Sequence, residues 1–182
     1  MKILKLLVVA TPVVALFAST PLLATQIQIH GANEPFIGLW KLDIDKSHVR
    51  VPPGFAVYRD FRAEGDGWIF ETVTTITPRG PQFLFTAARF DGTPYPDYTA
   101  KWLGDFVRYG TKPPQTVTFI RVNSHQIQWT DTVNGKTVAE GTETVSADGN
   151  MLTMTNHVVG QKAVGVQVFD RVAASSRSSA GA

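Results

Sequence analysis

The stretch FIGLWKLDIDKS, residues 36–47, decides how the rest of the chain is read. Phe36, Gly38, Trp40 and Leu42 fall on one face of an extended segment and Leu39, Lys41 and Asp43 on the other, the period of two that marks a half-buried strand. Moving outward, the same texture recurs in runs at 56–63, 67–77, 82–90, 116–122, 126–133, 136–145, 151–159 and 164–172. Each run is rich in β-branched and aromatic residues, and no helical period competes. Glu64-Gly65-Asp66-Gly67, Asp91-Gly92, Asn134-Gly135 and Asp148-Gly149 lie between runs and supply residues that accept positive φ, as tight hairpins require. Successive hairpins make a meander, and closing it removes the exposed edges. The expectation is an all-β, antiparallel up-and-down β-barrel of eight to ten strands.

The flanks read differently. Lys2 and Lys5 precede an apolar run from Leu6 to Ala18, followed by small residues and Ala24. This is the layout of a cleavable N-terminal signal peptide over residues 1–24, too short and too broken by Pro12 for a membrane span. Residues 25–35 then form a lead-in, 36–172 the barrel, and 173–182 (AASSRSSAGA) a disordered tail of small polar residues. Export to the periplasm or medium follows, with no stable membrane insertion after cleavage. Losing Lys2 and Lys5 takes the 17 Lys plus Arg to 15, equal to the 15 Asp plus Glu. Basic residues are scattered singly, which argues against nucleic acid as a partner. The chain has no cysteine, so disulfides, thiol nucleophiles and zinc–thiolate sites are excluded.

Phe36-x-Gly38-x-Trp40-Lys41-Leu42 is similar to the opening strand of fatty-acid-binding proteins, and Gly38-x-Trp40 to the hallmark of lipocalins. The closing VQVFDRV (166–172) resembles the last strand of both families. Across 36–172 the motifs GLWKLDIDKS, EGDGW, RFDGTPYP, NGKTVAEGTETVSADG and VFDRV also resemble a group of bacterial exported lipocalin-like proteins. The resemblance implies that Trp40 plugs one barrel end with Arg171 lying over its indole as a cation–π partner. It also implies a cavity for a small hydrophobic molecule. The chain departs from the fatty-acid-binding pattern where an Arg-x-Tyr pair would hold a carboxylate: Gln167 and Phe169 stand there, and neither can neutralise an anion. Pro52-Pro53-Gly54 occupies the place of that family's helical pair.

Strand alternation puts Phe169 and Gln167 on the inner face with Arg171, and Leu152, Met154 and Asn156 inside with Trp129 and Ile127. Such a lining suits a neutral, largely hydrophobic ligand, with Gln167 and Asn156 as isolated polar groups. Residues 93–115 are longer than a hairpin needs, and the segment 98–110 is read as a lid bringing Trp102, Phe106 and Tyr109 over the open end. No catalytic motif stands out. His30, His48, His125 and His157 are widely separated, so no metal site and no cofactor are expected. Acid–base candidates are Tyr109, Asp105 and Arg108 in the long connection, with Arg89 and Asp97 near its start. Two readings remain open: a carrier of a small hydrophobic molecule, and a cofactor-independent lyase, isomerase or cyclase using the cavity.

Overall fold

The computed structural model describes residues 34–99, 107–108 and 110–173. The expected signal peptide, most of the lead-in and the tail from residue 174 lie outside the described residues.

The sequence of hairpins closes as expected, into one antiparallel barrel of ten strands in consecutive order, with the first strand pairing with the last. The strands are β1 (Gly38–His48), β2 (Ala56–Ala63), β3 (Ile69–Thr77), β4 (Gly80–Ala88), β5 (Asp91–Thr99), β6 (Gln115–Asn123), β7 (Gln126–Val133), β8 (Lys136–Val145), β9 (Met151–Val158) and β10 (Val164–Arg171). Asn134 and Gly135 both adopt positive φ between β7 and β8, as do Gly65, Asp66 and Gly67 between β2 and β3. Between β1 and β2 the chain makes a turn around Pro52-Pro53-Gly54, and no helix occurs there.

One strand was not anticipated. Residues 91–99, read from their prolines as the approach to a long loop, form β5. Pro94 and Pro96 are tolerated because this part of β5 pairs only with β6, through Pro94 opposite Thr118 and Pro96 opposite Thr116. Pairing with β4 begins at Asp97, opposite Thr86. A residue without an N–H fits a strand where one neighbour is missing.

The apolar core fills one end of the barrel. Trp40 and Phe36 are fully buried there, against Phe61, Phe119, Ile127, Leu152 and Phe169. Trp40 satisfies its only polar atom by donating Nε1–H to Phe36 O at 2.9 Å. The Arg171 guanidinium lies 4.0 Å from the Trp40 ring centroid, as the resemblance implied. It also donates to the carbonyls of Pro35, Ile37 and Gly149. Gly38, at φ +137°, has no room for a Cβ, which would run into Arg171 Nη1. This end is therefore stapled shut by one side chain from the last strand. The connections β1–β2, β3–β4, β5–β6, β7–β8 and β9–β10 gather at the other end.

Candidate functional site

Above the apolar plug, alternation continues but the inward residues become charged. Arg59 shares its face with Phe61, Glu71 with Ile69, Asp131 with Trp129 and Ile127, and Glu143 with Val145. The ladder then carries these groups around the wall. Phe61 faces Glu71, Glu71 faces Thr86, Thr86 faces Asp97, and Glu143 faces both Ile127 and Met154. A belt of one guanidinium and four carboxyl groups results. It lines a cavity of about 50 Å³ whose remaining walls are Leu84, Thr86, Val117, Phe119, Trp129 and Met154. That volume holds a few water-sized groups, since one water needs on the order of 10–15 Å³ by this measure.

Arg59, 8% exposed, is committed to its neighbours. It donates from Nε to Glu71 Oε1 at 2.8 Å and from Nη1 to Glu143 Oε1 at 2.6 Å, and Nη2 lies 2.7 Å from Glu71 Oε1. Nη1 also contacts Met154 Sδ. Burial opposes its charge, but Glu143 and Glu71 outweigh that and hold its pKa above the ordinary value. Phe61 and Phe169 lie beneath it, their ring centroids 5.7 and 5.9 Å from Cζ.

The carboxyl groups are less fully served. Asp97 accepts from Thr86 Oγ1 at 2.5 Å and from Gln115 Nε2 at 2.9 Å. Burial nevertheless dominates and pushes its pKa to about 7, with the Asp131 charge adding to the rise. Asp131 is pushed to about 6, again chiefly by burial. Burial likewise raises Glu143, against the pull of Arg59. Glu143 is wholly buried, and its Oε2 has no hydrogen-bond partner. Trp129 Nε1 is also buried and unpaired. Such atoms carry a desolvation cost of about 1–3 kcal/mol each, more when charged, unless something entering the cavity meets them.

The residues expected to bind a ligand divide into three groups. Trp129 and Met154 line the cavity. Phe169 packs in the core below it, Gln167 faces Met154 across the β9–β10 ladder, and Asn156 faces Gly165 with a buried, unpaired Oδ1. Trp102, Phe106 and Tyr109, with Asp105, lie outside the described residues. Tyr98 and Thr99, placed at the start of the lid, belong to β5, and Val107 is 78% exposed. The wall also differs from the expected neutral lining: its polar part is the charged Arg59, Glu71, Asp97, Asp131 and Glu143, from β2, β3, β5, β7 and β8, together with Thr86 from β4. Asp97, an acid–base candidate near the start of the long connection, lines the cavity from β5 and is 3% exposed. Arg89 sits over the Trp68 ring at 4.8 Å and does not line the cavity. Among the described residues no three His, Asp or Glu side chains are grouped so as to hold a metal ion.

Sequence reasoning missed Arg59, Glu71, Asp131 and Glu143 because charged residues in strands are ordinarily assigned to solvent. The signal that finds them is phase. All four sit in register with buried apolar neighbours two positions away.

No family model matches the chain, and no curated protein matches it. Among solved structures it is similar to a Schistosoma mansoni fatty acid binding protein in complex with arachidonic acid. The TM-score is 0.51 at 13% sequence identity, over 79% of this chain and 100% of that one. At that identity the likeness is one of fold, and it places the chain's ten strands in the same kind of closed barrel.

Proposed function

We propose that this barrel binds a small, largely hydrophobic molecule, admitted at the end opposite Trp40 and held with its polar end against the charged belt. The observation that carries this reading is a cavity walled by Leu84, Val117, Phe119 and Trp129, two of whose lining residues, Glu143 and Trp129, each carry a buried polar atom, Oε2 and Nε1, without a partner. A wall of this kind takes an apolar body, and the unpaired atoms fix its orientation. The solved structure of a fatty acid binding protein with arachidonic acid supports a ligand-binding use of such a barrel by analogy of fold. A cavity of about 50 Å³ is far below the roughly 300–1,000 Å³ of a site that encloses a drug-sized ligand, so a short molecule, or the head of a longer one, is the occupant. Export belongs to the same proposal, on the strength of Lys2, Lys5 and the apolar run that follows.

The test is native mass spectrometry of the purified full chain, alone and with a series of linear alcohols of four to ten carbons. A one-to-one complex, either retained through purification or formed saturably with one of the series, is the expected result. No retained molecule and no saturable binding across the series overturns the proposal.

A second reading has its own observation. Asp97 and Asp131 titrate at about 7 and about 6, so either can give or take a proton near neutral pH inside a partly enclosed cavity. That is the equipment of a cofactor-independent lyase or isomerase. A turnover that disappears in both Asp97→Asn and Asp131→Asn while binding persists would establish it; binding without turnover in the wild type leaves the carrier.

A further inference from the structure

Resting on that binding reading, the chemistry of the head group can be named. The single cation of the belt is not available to an anion: Nε, Nη1 and Nη2 of Arg59 are all engaged by Glu71 and Glu143. Around the same space stand Glu71, Asp97, Asp131 and Glu143, so a carboxylate or phosphate entering it meets like charge with no free donor pair. Among the described lining residues no cation is uncommitted, and the buried donor left without a partner is the single Trp129 Nε1–H. Glu143 Oε2, wholly buried and without a partner, is an acceptor with nothing to accept.

Three cationic occupants meet that need to different degrees. A metal ion requires several ligands converging on one point, and among the described residues no such group forms. A planar guanidinium is best matched by a carboxylate offering both oxygens. Glu143 has only one oxygen left. An ammonium is compact, carries three donors that can be shared among separate carboxylates, and is drawn to aromatic faces such as those of Trp129 and Phe119. We propose that the cavity takes the ammonium head of a small primary amine, hydrogen-bonded to Glu143 Oε2 and the Asp131 carboxylate, with its alkyl part along Leu84, Val117 and Trp129.

The reading gives a definite pH response. The groups facing the head are Arg59 from β2, Glu71 from β3, Asp97 from β5, Asp131 from β7 and Glu143 from β8. An ammonium favours their ionised forms, so its binding strengthens as pH rises through the range in which Asp131 and Asp97 lose their protons.

The experiment is calorimetric titration of the full chain with hexylamine, hexanol and hexanoate at pH 8 and pH 5, repeated on Asp131→Asn. Hexylamine binding at least tenfold tighter than both analogues at pH 8, with the advantage falling at least fivefold at pH 5 and in Asp131→Asn, is the expected result. Hexanol binding as tightly as hexylamine, or hexanoate binding best, overturns the amine assignment and leaves the binding function standing. Failure of all three here, together with failure of the alcohol series, overturns both. If Asp131→Asn does not fold, the wild-type pH comparison decides alone: an amine preference unchanged between pH 8 and pH 5 rejects the carboxylate belt as its source.

Discussion

Arg59 donates from Nη1 to Glu143 Oε1 at 2.6 Å, while the other oxygen of Glu143 stays buried and unpaired. The pair is half of a tether, since the opposite side of the guanidinium holds Glu71. It joins β2 and β8 across the inside of the barrel, between strands that share no ladder. A buried ion pair of this kind is weak evidence for net stability, because desolvation offsets much of the attraction. Breaking it is another matter.

Arg59→Met removes the belt's cation and leaves Glu71 and Glu143 without it. The expected cost at pH 8 is about 3–5 kcal/mol, the usual penalty for orphaning a buried charge. Without Arg59 the burial that already raises Glu143 acts unopposed, so its carboxyl takes up a proton as pH falls and the penalty shrinks. Urea midpoints of wild type and variant at pH 8 and pH 5 check this; an equal loss at both pH values would show that the guanidinium acts through packing alone.

Asp97 gives the opposite kind of pH dependence. Its pKa is about 7 in the fold, against the ordinary carboxylate value of 3.8. A raised acid contributes stability that is fully present below its unfolded pKa and is lost as pH climbs through the folded one, here between about pH 4 and 7. At roughly 1.4 kcal/mol per pKa unit the loss is at most about 4 kcal/mol. Asp97→Asn removes the titration, so the variant should be more stable than wild type at pH 8 and not at pH 4. Denaturant curves across that range measure it, and a flat difference would place the ionised carboxylate in a better solvated setting than its burial indicates.

These charged positions also show where a sequence stops being readable. The turns were legible because Asn134-Gly135 and the Gly-rich corner at 64–67 have few conformations open to them, and the Trp40–Arg171 staple because the resemblance carried it. β5 was hidden by Pro94 and Pro96, which are compatible with a strand only where one partner is absent, a fact about pairing that no local composition contains. The belt was hidden by a prior. Glu143 in EGTETV carries the same inward phase as Val145, but charge outweighs phase in ordinary reading, and only a count over five strands, all with a charged residue on the inner face, reverses that judgement. Of the site, the aromatic and thioether half, Trp129 and Met154, was visible because phase and hydrophobicity agree there.

The staple itself is testable. Trp40→Ala empties a fully buried indole and should cost about 3–5 kcal/mol. Gly38→Ala adds only a methyl group, but at φ +137° and into the space of Arg171 Nη1, so it should displace the guanidinium from the indole. Tryptophan fluorescence reports that displacement, and an unchanged spectrum with an unchanged urea midpoint would mean that Arg171 yields without consequence.

Gly141 lies opposite Trp129 across the β7–β8 ladder, in phase with Glu143 and Val145. Most of the β8–β9 ladder is regular, but between the pairs Glu140–His157 and Glu143–Met154 it is broken. There Thr142 N donates to Thr155 Oγ1 at 2.9 Å, and the two threonine hydroxyls lie 2.9 Å apart, so side chains replace backbone in holding the strands together. Gly141 sits at this break with ordinary backbone angles, and its lack of a side chain is a matter of space: a Cβ would collide with Thr155 O on one side and come within 2.9 Å of Trp129 Cζ2 on the other. Neither neighbour can yield easily, since one is backbone and the other a buried ring of the cavity wall. Gly141→Ala should therefore cost about 1–3 kcal/mol through overpacking. Its more specific effect is on Trp129, which must move into the roughly 50 Å³ it borders. Hexylamine or alcohol binding should weaken in Gly141→Ala by more than it does in Gly165→Ala, where an added Cβ meets only ordinary contacts. Calorimetry on the two variants at matched fractions folded makes the comparison. Equal binding in both would mean that Trp129 is not part of the wall a ligand touches.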